Sequence, residues 1–232
     1  MDPKCAHQCI VSLEWSNNNE VKSRMTKTIP QFVHQIWLGP ITNMTDANHI
    51  KCKQWQQFAL EKGYLYRLWT LADISYFETQ LLLPREREHF QNCLKIGDWW
   101  AASDILRYHL LNHHGGFYCD VDFQPATDCD GNLCDILEFT SKTGLVAFSE
   151  HDARNLPGTG SYFLMNGMLA CPPSHPIIQH VCEHISENIE HWVSKTGSVD
   201  ASYATGPFFL TRHVNGPFTM VPITFLKQFR MY

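Results

Sequence analysis

Residues 101–122, AASDILRYHLLNHHGGFYCDVD, carry the strongest structural information in this 232-residue chain. Asp98, just before the stretch, is a suitable helix N-cap, and Gly115-Gly116 is suited to end a helix and reverse the chain. The spacing therefore predicts a helix from about residue 99 to residue 113. The apolar run 117–121 predicts a short strand directly after it, and this succession indicates an αβ fold.

Two carboxylates, Asp120 and Asp122, lie two residues apart where the predicted strand meets a loop. In an extended chain, residues i and i+2 point to the same side, so both carboxylates can approach one cation. Hard oxygen ligands, with only Cys119 as a soft neighbour, suit Mg²⁺ or Mn²⁺ rather than zinc or copper. An Asp-x-Asp triplet alone is more typical of two solvated turn aspartates, so the metal hypothesis depends on its context.

Asp104 and Arg107 lie three residues apart on one side of the predicted helix. Such a pair is typical of a helix-surface ion pair worth about 0.2–0.5 kcal/mol. Because this helix comes directly before the candidate metal-binding strand, the pair can instead present one acceptor and several donors to a polyhydroxylated ligand. The second interpretation is favoured, and the first stays open.

The rest of the chain alternates between segments with the two-residue apolar period of a strand and segments with the 3.6-residue period of a helix. The pattern predicts strands at 32–38, 64–69, 145–148 and 162–170, helices at 49–62 and 177–192, and one or two short helices at 71–94, broken at Pro84. This alternation favours a layered αβ fold with a mostly parallel sheet. Residues 1–28 are polar and lack a clear period, so we expect a loosely packed lead-in followed by one domain over 29–232.

Composition excludes several classes of protein. A hydrophobic fraction of 44% is enough for a core, and a net charge of −5 with a pI near 6.2 argues against a nucleic-acid binder. No stretch reaches the roughly 18–20 uncharged apolar residues of a transmembrane segment. The first residues lack the apolar centre of a secretory signal, so we expect a cytoplasmic location.

Other potential metal ligands give weaker signals. The nine cysteines include no CxxC pair, so free thiols are favoured over a zinc ribbon or a disulfide framework. The acidic run 128–132 lacks the glutamate at the twelfth position of a calcium loop, which favours a polar turn. His113-His114 is better explained as a pair at a helix C-terminus than as a metal site.

Three blocks, in order, resemble one family of glycosyltransferases, the group with a "DXD sugar-binding region". That group includes yeast-type initiating α-mannosyltransferases and is more distantly similar to the glucosylating domain of large clostridial toxins. The central block is 103–108 (SDILRY) with 115–122 (GGFYCDVD). Residues 29–39 (IPQFVHQIWLG) resemble the family's opening strand, usually Ile-Pro-x-x-x-His-x-x-Trp, and Thr205-Gly206-Pro207 resembles a later Thr-Gly-Pro element.

The resemblance implies a GT-A fold, a Rossmann-like αβα sandwich with a mostly parallel central sheet. It further implies a metal-dependent glycosyltransferase that uses a nucleotide-diphosphosugar donor (a UDP- or GDP-sugar) with Mn²⁺ or Mg²⁺. The acceptor would be a glycan, a lipid or a protein, and transfer would retain the anomeric configuration. No carboxylate can be assigned as a covalent nucleophile, so front-face attack is the working hypothesis.

The resemblance assigns the metal and the nucleotide to three residues. Asp122 would coordinate the metal directly, and Asp120 would contact the metal, either directly or through water, and also the hydroxyl groups of the ribose or the sugar. Trp37 would stack on the nucleotide base, although a core tryptophan is the alternative.

The resemblance assigns the donor sugar to five further residues. Asp104 and Arg107 would hold hydroxyl groups of the sugar, with Ser103 and Tyr118 beside them. Asn166 would line the sugar pocket, although an Asn before Gly is more typical of a turn.

One family element has no convincing counterpart. Many GT-A enzymes complete the metal and diphosphate site with a late histidine or a Ser-x-Trp element, whereas His213 is the only histidine after Thr205 here. A catalytically silent nucleotide- or sugar-binding module on the same fold therefore remains the alternative. A metal-dependent phosphohydrolase would need more clustered carboxylates or histidines than these blocks supply.

Overall fold

A seven-stranded sheet forms the centre of the protein. The computed structural model describes residues 11–13, 28–125, 144–149, 164–196, 200–214 and 218–221. Within these ranges the strands are β1 (Val11–Leu13), β2 (Phe32–Trp37), β3 (Leu65–Thr70), β4 (Gly116–Cys119), β5 (Val146–Ser149), β6 (Leu164–Cys171) and β7 (Phe218–Val221). Their order across the sheet is β1-β7-β5-β6-β4-β2-β3.

The sheet is mixed but mostly parallel, as predicted. Strands β2 and β3 pair in parallel, as do β2 and β4, and β5 and β7. Strand β6 runs antiparallel to both of its neighbours, β4 and β5, and β1 runs antiparallel to β7. Thus β2, β3, β4, β5 and β7 point the same way, and their carboxyl ends lie along one edge, where ligands of open αβ sheets bind.

Six α-helices of four or more residues cover this sheet in the described part of the chain. They are α1 (Asp46–Lys62), α2 (Pro84–Ile96), α3 (Trp99–His114), α4 (Pro176–Thr196), α5 (Ala201–Ala204) and α6 (Pro207–His213). A 3₁₀ turn at Ile41–Asn43 follows β2, and a run of short turns follows β3: Leu71–Asp73, Ile74–Tyr76 and the π-helical Phe77–Leu81. No helix in the described residues is long and apolar enough to pass through a bilayer.

Two apolar cores on opposite faces of the sheet make the fold an αβα sandwich. One core joins α2, α3, α4 and α6 to one face and contains Tyr118 of β4. The other joins α1 to the opposite face, where Trp55 and Phe58 pack with Phe117 and Cys119. Because neighbouring residues of a strand point to opposite faces, β4 is buried on both sides.

A tight turn between α3 and β4 depends on glycine. Gly115 and Gly116 have φ angles of +64° and +95°, which residues with a side chain rarely adopt. A Cβ atom on Gly116 would lie 2.4 Å from the carbonyl oxygen of Phe32. The turn therefore brings the start of β4 into close backbone contact with β2.

His34 of the opening block fixes this turn. Its Nδ1 accepts a hydrogen bond from the indole nitrogen of Trp69 (3.1 Å), so its Nε2 carries the proton and donates to the carbonyl of Gly115 (2.9 Å). Burial lowers the pKa of His34 to about 3, which keeps the ring neutral and this donor–acceptor pattern intact. His34 thus joins β2, β3 and the α3–β4 turn.

Several predicted boundaries are wrong for identifiable reasons. Helix α1 begins at Asp46 rather than at residue 49, because the Thr45 hydroxyl accepts from the Asn48 N–H and caps the helix. Strand β4 ends at Cys119 rather than at residue 121. Strands β1 and β7, which pair with each other at one side of the sheet, were not expected, and β1 lies within the predicted lead-in; the domain division itself stays a prediction.

Helix α3 is also more buried than its pattern predicts. Its residues from Ala101 to Leu111 are buried almost throughout, including Asp104 and Arg107, whereas Trp100 in the first turn is 80% exposed. The interpretation of Asp104 and Arg107 as a surface ion pair is therefore wrong.

Replacing Gly116 by alanine should cost about 2 kcal/mol of unfolding free energy or more, because a strained φ is combined with a backbone clash. Gly63→Ala is the matched control: Gly63 also has a positive φ, of +75°, but a Cβ there meets nothing within 4 Å. The control should lose only about 1 kcal/mol. Chemical denaturation measures both values, and equal losses would contradict the close approach to Phe32.

Candidate active site

A cavity of about 350 Å³ lies at the carboxyl ends of β2 and β4, beside the first turns of α3. This volume falls in the usual range for small-molecule sites. Six of the eight residues predicted for the site line it: Trp37, Ser103, Arg107, Tyr118, Asp120 and Asp122. The structure thus brings together residues from two separate blocks of the sequence.

The other two predicted residues, Asp104 and Asn166, lie behind Arg107. Both are buried, with 6% and 8% of their surface exposed, and neither lines the cavity. The side-chain amide of Asn166 donates to Asp104 Oδ1 at 2.7 Å, and the backbone carbonyl of Asn166 accepts from Arg107 Nη1 at 2.8 Å. Asn166 lies in β6 and not in a turn, and it contacts other site residues.

The guanidinium of Arg107 lies between two carboxylates. Its Nη2 is 2.9 Å from Asp104 Oδ1 and 3.2 Å from Asp120 Oδ1, and its side chain is only 6% exposed. The guanidinium carbon also lies 4.7 Å from the centre of the Tyr118 ring. Burial alone would lower the pKa of Arg107, but the charges of Asp120, Tyr118 and Asp104 outweigh it, and the net pKa is raised. The group is a permanent buried cation.

Asp104 is a buried carboxyl whose pKa is raised. Burial raises its pKa to about 6, although the charge of Arg107 and hydrogen bonds from Thr205 and Asn166 act in the opposite direction. The Thr205 hydroxyl lies 2.9 Å from Asp104 Oδ2 and 3.1 Å from the carbonyl of Ala201. If Asp104 is protonated, it can donate to Thr205, which then donates to Ala201. The surrounding hydrogen bonds therefore accommodate either protonation state.

Asp120 is held through both its backbone and its side chain. Its carbonyl accepts from Gln35 Nε2 (3.2 Å), whose own side-chain oxygen accepts from Tyr66 (2.9 Å). Its Oδ1 accepts from the Tyr118 hydroxyl at 2.6 Å, in addition to the contact with Arg107. These contacts fix the direction of the carboxylate, and its side chain remains 35% exposed.

Gly167 of β6 makes room for Asp120. The Asp120 N–H donates to the Gly167 carbonyl at 2.9 Å, and a Cβ on Gly167 would lie 2.7 Å from Asp120 Oδ2. A side chain at position 167 would therefore displace the carboxylate.

Asp122 does not follow an extended strand, contrary to the sequence prediction. The Phe123 N–H bonds the Asp120 carbonyl at 3.2 Å, so the two aspartates lie in a turn. Lys51 of α1 donates to the Asp122 carbonyl at 2.6 Å and holds this turn against the helix. Asp122 is exposed and, like Asp120, lines the cavity.

Trp37 lies at the end of β2, where its indole N–H donates to the carbonyl of Pro40 at 3.2 Å. The ring is partly buried against a small cluster that contains Met44 and Val121. Trp37 is thus neither a fully buried core residue nor a free surface side chain. Its position on the cavity wall leaves it in reach of a ligand.

The site includes three residues that the sequence analysis did not assign to it. Thr205 belongs to the Thr-Gly-Pro block, so that block was a usable signal for it. Gln35 is a buried polar residue in an apolar strand, but only the structure shows its contact with Asp120. Gly167 falls in the predicted strand 162–170, but only the structure shows its close approach to Asp120.

His213, the only late histidine, does not contribute to this cavity. It lies at the end of α6 and contacts His180 and His184 of α4.

The acidic run 128–132 lies outside the described residues. His113 and His114 form the last turn of α3, as predicted. Within the described ranges, five cysteines are free and buried, also as predicted: Cys52, Cys93, Cys119, Cys171 and Cys182.

The donor set fits a hard divalent cation. Two carboxylates on one turn reach the same cavity, and Asp120 is oriented by Arg107 and Tyr118. Oxygen donors of this kind suit Mg²⁺ and Mn²⁺.

Comparison with known proteins defines the class. The solved structure of the glycosyltransferase PaToxG superposes with a TM-score of 0.55 at 16% sequence identity, over 84% of this chain and 72% of that one. This likeness concerns the fold alone, and with the sandwich described above it confirms the predicted GT-A type.

A comparison of the sequence with known families establishes the family of this chain. The family described as "Glycosyltransferase sugar-binding region containing DXD motif" matches residues 16–135, about half of the chain. The chain belongs to this family, as its three blocks predicted.

Curated relatives are moderately similar. Inositol phosphoceramide mannosyltransferase 1 of Schizosaccharomyces pombe is 26% identical over 200 residues, which are 84% of this chain and 54% of the relative. Mannosyl phosphorylinositol ceramide synthase CSH1 of Saccharomyces cerevisiae is 25% identical over 184 residues, 79% of this chain and 42% of the relative. The chain thus spans about half the length of these relatives.

The raised pKa of Asp104 predicts a pH-dependent contribution to stability. The folded protein holds this proton up to about pH 6, against an ordinary value of 3.8, so the contribution is complete below about pH 4 and is lost as the pH rises through 6. Asp104→Asn, which mimics the protonated acid, removes this titration. The unfolding free energy of the wild type relative to Asp104→Asn should therefore fall between about pH 4 and pH 6.

Urea denaturation at several pH values measures this difference. Asp46→Asn, at an exposed position in the first turn of α1, is the control and should not show the same fall. If the unfolding free energies of the wild type and Asp104→Asn changed in parallel with pH, the raised pKa of Asp104 would be contradicted.

Proposed function

We propose that this chain is a metal-dependent glycosyltransferase that moves a sugar from a nucleoside diphosphate-sugar to an acceptor. The observation that carries the proposal is the Asp120–Asp122 turn, which lines a cavity of suitable size beside a buried arginine. Membership of the DXD family supports the same function.

We assign the divalent cation, Mn²⁺ or Mg²⁺, to Asp122 and Asp120. Bound there, such an ion would stabilise the negative charge that a departing nucleoside diphosphate gathers. Asp122 is the more exposed of the two and is the better candidate for a direct ligand. Because Tyr118 and Arg107 already engage Asp120 Oδ1, Asp120 is better suited to a supporting contact, including one through water.

Arg107 contributes charge and position. Most of its hydrogen bonds go to protein groups: the carboxylates of Asp104 and Asp120 and the carbonyl of Asn166. Its first role is therefore to hold Asp120 in place. Its permanent positive charge also raises the electrostatic potential of the cavity wall, where a diphosphate would lie. Asp104 and Asn166, behind it, act as positioning residues rather than as contacts to the sugar.

Trp37 and Ser103 complete the binding surface in this proposal. The Trp37 ring offers a face for a nucleotide base, and its hydrogen bond to Pro40 limits its rotation. Ser103 lies one helical turn before Arg107 and offers a hydroxyl to the sugar.

The stereochemical proposal is retention by front-face attack. Among the described residues that line the cavity, the acidic ones are Asp120 and Asp122, both assigned to the cation. Neither is then available as a covalent nucleophile, so the leaving phosphate would guide the incoming acceptor.

The first donor and acceptor to test follow from the named relatives. Both are named for mannosyl transfer to an inositol phosphoceramide, so a mannose donor and an inositol phospholipid are the leading pair, ahead of glycan or protein acceptors. Trp100, 80% exposed at the rim of the cavity, offers apolar surface beside the donor. To test this choice of donor, the protein is incubated with a panel of UDP- and GDP-sugars and Mn²⁺, and the release of nucleoside diphosphate is measured.

Asp122→Asn should abolish transfer and leave the melting temperature unchanged, because an exposed side chain in a turn is not part of the core. Nucleoside diphosphate release and thermal unfolding measure the two effects. Glu88→Gln, at an exposed position on α2, is the control and should keep full activity. Wild-type rates in Asp122→Asn would refute the metal assignment, and nucleotide binding without turnover of any donor by the wild type would favour a silent binding module.

Trp37→Ala should weaken nucleotide binding by about 1–3 kcal/mol if the ring stacks on the base. Trp37→Phe keeps an aromatic face and should recover most of this loss. Calorimetric titration with UDP and GDP in the presence of Mn²⁺ gives the affinities. Unchanged affinity in Trp37→Ala would return the residue to a purely structural role.

A further inference from the structure

Three histidines that the proposed reaction does not use meet on the helical side of the protein. His180 and His184 lie one turn apart on α4, and His213 is the last residue of α6. Their ring centres are 4.1, 5.3 and 5.6 Å apart, and one ring nitrogen from each lies within 4.8 Å of the others. All three are half-buried, so the cluster is neither a core packing unit nor an open surface.

We propose that His180, His184 and His213 form a binding site for a Zn²⁺-like transition-metal ion, separate from the Asp120–Asp122 site. Imidazole nitrogens suit Zn²⁺, Cu²⁺ and Ni²⁺, whereas the carboxylates of the sugar site suit Mg²⁺ and Mn²⁺. The protein would thus hold two different classes of cation.

The distances are close to those of a tetrahedral site. Zinc–nitrogen bonds of about 2.0–2.1 Å place two ligand nitrogens about 3.3 Å apart. Small rotations of three side chains close the remaining gap, since two of them lie on the same helix at positions i and i+4.

The hydrogen bonding of His184 prepares it as a ligand. Its Nδ1 lies 2.8 Å from the carbonyl oxygen of His180, which can only accept, so Nδ1 carries the proton. The Nε2 atom then keeps its lone pair for a metal. A ring nitrogen that donates to a backbone carbonyl is the usual outer support of a metal-bound histidine.

The chemistry of the cluster also favours a shared metal ion. Neutral imidazole is the form in which histidine binds metals. Because one ring nitrogen of each histidine lies within 4.8 Å of the other two, a single cation would bind all three rings at once.

The site has three protein ligands within the part of the chain that the structure describes. A tetrahedral ion would then have one position for water or an external ligand. Its mechanical effect would be to join α4 to α6. Helix α6 begins two residues after Thr205, whose hydroxyl bonds Asp104, so the ion would brace the segment that completes the sugar site.

Metal titration of the full chain tests the proposal. After treatment with a chelator and dialysis, the wild type should bind about one Zn²⁺ at the cluster and melt at a higher temperature with Zn²⁺ than without it. The double variant His180→Ala/His213→Ala should lose this shift and weaken binding by more than about tenfold, since even outer partners of metal ligands contribute 10–100-fold. His191→Ala, exposed on the same helix, is the control and should behave as the wild type.

Two further measurements distinguish this site from other groups of the chain that could bind Zn²⁺. Co²⁺ should give visible bands of a tetrahedral nitrogen and oxygen site without the near-ultraviolet absorption of a thiolate, which excludes the nine cysteines. Zn²⁺ should bind Asp122→Asn as tightly as the wild type, which excludes the carboxylate turn and keeps the result independent of the proposed transferase.

The wild type alone gives a test that does not depend on the folding of variants. Zn²⁺ should protect His180, His184 and His213 from modification by diethyl pyrocarbonate, as mapped by mass spectrometry. Equal modification with and without Zn²⁺, or an undiminished melting shift in the double variant, would overturn the proposal.

Discussion

The buried ion group of Asp104, Arg107 and Asp120 is the constraint on which the rest of the site depends. A guanidinium that is almost fully removed from water is tolerated only if its charge and its N–H groups are satisfied. Here two carboxylates and the carbonyl of Asn166 supply the partners. Because removal of any one partner would leave a buried charge, the group fixes α3, the end of β4 and β6 relative to one another.

The sheet topology explains why this group faces a cavity. Strand β4 lies between β2 and β6, so its carboxyl end is flanked by residues from both neighbours: Gln35 on β2 holds the Asp120 backbone, and Gly167 on β6 leaves space for its carboxylate. The glycine turn before β4 and His34 on β2 determine where the strand begins. The direction of one carboxylate is therefore determined by contacts along the whole length of β4.

Much of the fold and of the site was predictable because it depends on local signals. Asp98 and Gly115-Gly116 mark the ends of α3, and the first two blocks supplied the six predicted residues that line the cavity. Long-range geometry was not predictable. The sequence does not show that α3 is buried nearly all round, that a turn replaces the end of β4, or that Thr205 bonds Asp104, since each depends on packing between distant segments.

The bond from Thr205 to Asp104 spans 101 positions of the sequence, and Tyr108 donates to the Thr205 carbonyl over 97 positions. During synthesis on the ribosome, Asp104 and Arg107 emerge long before these partners exist. The nascent chain must therefore carry an incompletely paired charged helix until the α5–α6 segment has been translated. The buried ion group beside the cavity can therefore gain its last partners only after residues 201–213 have been synthesised.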